Sequence, residues 1–206
     1  MPITLATPPE AVLTELARAL PRIGRSATIR QRAPAITRAA GRFELAANMR
    51  VARTLDEIID TDALPMPVYV VGLDDLARGE LAKAARLALW SHIVATDAGP
   101  VSAEVRSDNS RFAQVTNSVA VGRARTSLMR MSRGEGAASL DGEAAELRIP
   151  ALNTSLLWVK GARETFEVLD SALPELPEGH RFSAADLTRI LRPIAEDRLR
   201  NPDSDG

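Results

Sequence analysis

Cysteine is absent from this 206-residue chain, which excludes disulfides, a thiolate nucleophile and Cys-ligated zinc. Aromatic residues are scarce, at two Trp, one Tyr and four Phe. None lies between Arg18 and Arg42, so the basic segment lacks the interleaved aromatics of a surface that stacks single-stranded nucleic acid. Lysine is reduced to Lys83 and Lys160 against 24 Arg, a skew that an Arg-codon-rich genome accounts for. No stretch approaches the roughly 20 apolar residues that cross a bilayer. The opening Met1-Pro2-Ile3-Thr4 lacks a basic n-region. The expectation is therefore no signal peptide, no membrane and a cytoplasmic location.

Chemical motifs are sparse as well. Gly-x-Ser-x-Gly does not occur, so a serine hydrolase elbow has no carrier. Gly134-Glu135-Gly136 imitates part of a dinucleotide fingerprint, but it follows a helix pattern and precedes a strand pattern. Phosphate cradling needs strand, loop, then helix. Asn201-Pro202-Asp203-Ser204-Asp205-Gly206 starts like a calcium loop and then lacks the later ligands. The only histidines are His92 and His180, too few to make zinc ligation expected. Neither a cofactor nor a metal is expected, and no residue is assigned as catalytic.

What the chain does have is 45% apolar residues, ordinary for a folded protein, and an uneven charge distribution. Residues 1–53 carry nine Arg against three acids, a net of +6. Residues 54–80 carry seven acids against Arg78, a net of −6. From Arg18 to Arg42 there are seven Arg and no acid.

Local patterns predict the elements. Thr7-Pro8-Pro9-Glu10 opens a helix, with Val12, Leu13, Leu16 and Leu20 on one stripe and Pro21 as its stop. Residues 22–41 lose all periodicity and read as an extended arm, with a helix after it over 42–59. Leu64-Pro65-Met66-Pro67 reads as a linker. A strand at Val68–Val71 precedes a helix from Asp74 to about Leu89. Strands over 90–96, 101–106 and 111–116 form a meander. A helix over 117–132 follows, with Ala120, Ala124, Leu128 and Met131 in register. Apolar alternation then continues through Trp158, with Pro150 as a bulge, and Phe166–Val168 pairs back. Ser183 and Asp186 start a last helix, which Pro193 is expected to kink or split.

This order predicts an α+β fold: a mostly antiparallel sheet of about five strands with helices packed on one face, plus an N-terminal helical segment. The expected divisions are an N-terminal helix, Arg-rich arm and helix at 1–63, an α+β domain at 64–200 and a tail at 201–206. The functional expectation is a non-enzymatic protein-interaction or assembly module. Its partner-binding residues would be Arg22, Ile23, Arg25, Ile29, Arg30, Arg32, Ile36, Arg38 and Arg42, with guanidiniums pairing carboxylates and isoleucines anchoring. The partner would be another protein or a second copy of the chain. Two alternatives stay open: nucleic-acid backbone binding through the arm, and a small enzyme using His92.

Overall fold

The computed structural model describes residues 3–23, 53–54, 63–94, 99–133 and 140–201. The first part of the fold comprises β1 (Ile3–Leu5), α1 (Glu10–Ile23), β2 (Arg53–Thr54), β3 (Ala63–Val70), α2 (Leu73–Ala77), β4 (Arg86–Val94), β5 (Val101–Arg106) and β6 (Phe112–Thr116). The second comprises α3 (Val119–Ser132), β7 (Gly142–Ile149), β8 (Thr154–Lys160), β9 (Thr165–Ser171), β10 (Arg181–Ser183) and α4 (Ala184–Arg200).

All ten strands join one sheet in the order β10-β9-β8-β7-β3-β4-β5-β6, with β1 beside β7 and β2 beside β1. The α+β class stands, but the expectation of about five strands does not. The sheet is also mixed, because β7 runs parallel to both β1 and β3. Along one edge of β7, Gly142–Ala144 pair with β1 and Glu146–Arg148 pair with β3. Two strands thus share one edge in succession, and the sheet forks there.

Helices cover both faces rather than one. The period-2 geometry of a strand puts neighbouring residues on opposite faces, and the core splits along that alternation. Ala144, Leu157 and Val159 meet Ala120, Val121, Ala124 and Leu128 of α3, together with Ile3, Leu64, Met66 and Ile93. On the other face, Ala145, Leu147, Leu156, Trp158 and Phe166 meet Leu76 of α2 and Leu187, Leu191 and Ala195 of α4. Also on that face, Val12, Leu13 and Leu16 of α1 cover Trp90, Val94, Ala103 and Val105.

Several local expectations give way to pairing. Leu64-Pro65-Met66-Pro67 is no linker, since both prolines lie in β3 opposite His92 and Trp90 of β4. Proline cannot donate to a ladder, and the pairing of β3 with β7 begins only at Val68. The missing donors therefore fall where β7 makes no demand. The helix expected over 74–89 ends at Ala77, and Arg86–Leu89 already belong to β4. Arg53–Thr54 are strand, not helix; the remainder of 42–59 lies outside the described residues.

Proline also fails to end or split the helices. The first helix runs through Pro21 to Ile23. The last is continuous through Pro193, because the carbonyl of Arg189 that loses its donor lies on the exposed face, where water can serve it. Pro150 opens a 3-10 turn over Pro150–Leu152, which Asn153 closes in left-handed geometry at φ 45°. A reversal therefore stands where a bulged strand was expected.

The mouth of the β7–β8 hairpin is closely packed. A Cβ on Gly161 would lie 1.8 Å from the Asp141 carbonyl oxygen, and one on Gly142 would lie 2.2 Å from that of Lys160. Backbone cannot swing aside as a side-chain tip can. Gly161→Ala should therefore cost about 1–3 kcal/mol, read as a lower urea midpoint at unchanged m-value.

Candidate functional site

Residues 24–52, which hold most of the arm expected to bind a partner, lie outside the described residues, between the end of α1 at Ile23 and the start of β2 at Arg53. Thr4 and Leu5 of β1 pair with Thr54 and Arg53. Arg22 and Ile23 occupy the last turn of α1. Arg25, Ile29, Arg30, Arg32, Ile36, Arg38 and Arg42 lie outside the described residues. Upstream, Glu15 locks α1 to the sheet edge, its Oε1 accepting the Phe112 N–H of β6 at 3.1 Å. Arg18 donates to both Glu15 oxygens at 2.8 Å, and this partner raises the Arg18 pKa.

Two of the described members of the acidic block, Asp75 and Glu80, have local partners. Arg78 pairs with Asp75 and Glu80, and Lys83 with Glu80. The Glu80 carboxyl is held below its ordinary range, first by Lys83 and then by Arg78. Asp56, Glu57, Asp60 and Asp62 lie outside the described residues.

His92 is wholly buried. It stands on β4 between Pro65 of β3 and Ala103 of β5. Burial pushes its pKa down to about 3, so the imidazole is neutral and has no surface to offer a substrate. The enzyme alternative loses the residue it was built on. Trp90 and Trp158 are core residues. Trp158 stacks on Phe166 and meets Tyr69 edge-on, with ring centroids 5.5 and 5.3 Å apart. Lys160 lies over Tyr69, its Nζ 4.5 Å from the ring centroid and 2.9 Å from the hydroxyl oxygen.

The polar sites that sequence reasoning missed lie on the α3 face. The first is an ion triad. Arg148 of β7 donates to Glu146 on its own strand and to Glu104 on β5, each at 2.6 Å. Between β5 and β7 lie β3 and β4, so the guanidinium ties non-adjacent strands together. Gln114 Nε2 donates to the other Glu104 oxygen at 2.9 Å. Glu104 has no exposed surface. Burial works against the Arg148 charge, but the hydrogen bonds and charges of Glu146 and then Glu104 outweigh it and raise its pKa.

The second site surrounds Glu167 of β9, which is 3% exposed. Ser127 of α3 donates to its Oε1, as does Arg130 at 2.9 Å. Arg181 of β10 donates to Oε2 at 2.8 Å. A nearby pair, Arg123 and Glu178, closes the space between α3 and the β9–β10 connection. No sequence signal marks either site, because each charge sits at an alternate strand position that ordinarily faces water.

Among the described residues, no group of three or more His, Cys, Asp or Glu side chains is placed to hold a metal. No described helix is long and apolar enough to cross a membrane. The fold and these sites define a mixed-sheet α+β protein braced by charge networks on one face. No protein-family model, curated protein or solved structure matches the chain.

Proposed function

We propose that the chain is a non-enzymatic interaction or assembly module, whose Arg-rich N-terminal segment docks on the acidic surface of a protein partner or a second copy. One observation carries the reading: seven Arg without an acid between Arg18 and Arg42. In the neighbouring acidic block, Asp75 and Glu80 have nearer partners in Arg78 and Lys83. The isoleucines would add apolar burial, and the guanidiniums would speed encounter.

The test keeps the whole N-terminus, because removing α1 would uncover Trp90 and Val105. Light scattering and cross-linking compare the full chain with a full-chain variant carrying Arg25→Ser, Arg30→Ser, Arg32→Ser, Arg38→Ser and Arg42→Ser. With each of the five lost pairs contributing about 0.2–1 kcal/mol, association should weaken at least about fivefold. Wild-type association should also fall as salt rises. Equal association of the two proteins, or a monomer without cross-linked partners in both cases, rejects the proposal. Binding to duplex DNA that falls with salt would instead favour the nucleic-acid alternative.

A further inference from the structure

The cleft between α3 and the β9–β10 connection has a volume of about 350 Å³ and is lined by Arg123, Thr126, Ser127, Arg130, Glu167 and Glu178. We infer that it is a binding site for a small dianion, gripped by Arg123 and Arg130, with Glu178 acting as a built-in competitor. This site is separate from the arm and does not rest on the docking proposal.

The charge balance sets the ligand's sign. The lining charges are Arg123 and Arg130 against Glu167 and Glu178, and once the exposed Glu178 turns to water the two guanidiniums outnumber the Glu167 carboxylate by one. No acid occurs between Asp108 and Glu135, so α3 carries Arg123, Arg125 and Arg130 with no acid of its own. The floor of the cleft is already organised, because the buried Glu167 carboxylate is satisfied by Ser127, Arg130 and Arg181. It repels a ligand less than a bare carboxylate would, and it holds Arg130 in place.

The donors left over set the geometry. Among the described residues, Arg130 makes its bonds through Nη2, which leaves Nε and Nη1 for a ligand on a side chain 48% exposed. Arg123 spends Nη1 on the Leu169 carbonyl and Nη2 on Glu178. The latter bond lies at the rim, with Arg123 35% and Glu178 47% exposed. An exposed pair of this kind contributes little and exchanges readily. An entering oxyanion can take the place of Glu178, whose carboxylate then turns to water. Arg123 and Arg130 are seven residues apart, about 10 Å along the helix. The cleft therefore favours two oxyanion groups separated by a short spacer over a single compact ion.

Calorimetric titration of the full chain with pyrophosphate and with succinate, against sodium chloride at matched ionic strength, tests this. Saturable one-site binding of at least one probe is expected, and the probe bound shows whether phosphoryl or carboxylate oxygens are preferred. Arg123→Gln should weaken binding about tenfold, and Glu178→Gln should tighten it about threefold or more by removing the competitor. Thermal unfolding of each variant, recorded alongside, confirms that it is folded. The variant lacking five arm arginines should bind as wild type does; a loss of binding there assigns the heat to the arm and overturns the site. No saturable binding up to about 10 mM, or a Glu178→Gln variant no tighter than wild type, overturns it too.

Discussion

Arg148→Ala is expected to lower stability by about 3–5 kcal/mol, among the largest single-residue effects in the molecule. The cost does not come from the attraction lost, since a buried pair only partly repays the desolvation of its charges. It comes from the carboxylates left behind. Glu104 has no exposed surface, and without Arg148 only Gln114 would donate to it among the bonds described above. Glu146, 4% exposed, would lose its partner as well. Adding Glu104→Gln to Arg148→Ala should recover part of the loss, a non-additivity that a double-mutant cycle measures. Urea unfolding of the single and double variants at pH 7 gives both comparisons. A loss below about 1 kcal/mol for Arg148→Ala would mean that the triad does not brace the sheet.

Acid should unfold the wild-type protein in part through His92. Its folded pKa of about 3 lies below the unfolded value of about 6.5. Above pH 6.5 both states hold the imidazole neutral, and no penalty exists. Between pH 6.5 and pH 3 the unfolded chain takes up a proton that the folded chain refuses, so stability falls as pH falls. At about 1.4 kcal/mol per pH unit, the contribution lost by pH 4.5 is about 2–3 kcal/mol. His92→Leu, which keeps an apolar side chain of similar bulk between Pro65 and Ala103, should flatten the stability profile across that window by this amount. Urea midpoints of both proteins at pH 7 and pH 4.5 decide the matter. An equal drop in the two proteins removes His92 from the acid response.

These two residues show where sequence reading ends. Glu104 lies in Val101-Ser102-Ala103-Glu104-Val105-Arg106, a clean alternation from which β5 and its apolar face were legible. Alternation says which residues share a face, not what covers that face. Covering depends on Arg148, 44 positions away in the chain. Glu167 follows the same rule, since its burial depends on Ser127 and Arg130 of a helix 40 and 37 positions away. His92 stood among apolar residues of a strand, and only the ladders on both sides and α1 above them reveal that no solvent reaches it.

Local order decided what local chemistry can decide. The stripe Ala120, Ala124 and Leu128 specifies α3, and Ser183 caps α4 by accepting the Asp186 N–H. The β5–β6 turn follows from Ser107-Asp108-Asn109. These features rest on interactions within one turn or one hairpin, so a short window contains their cause. The strand through Pro65 and Pro67, the fork of β1 and β3 on β7 and the helices on both faces rest on pairing between distant segments. There the gain from burying apolar area and completing ladders outweighs local propensity, and no short window contains both partners. The concentration of arginine near the start of the chain is the reverse case: it is plain in the sequence, and the described fold places only its flanks, α1 and β2.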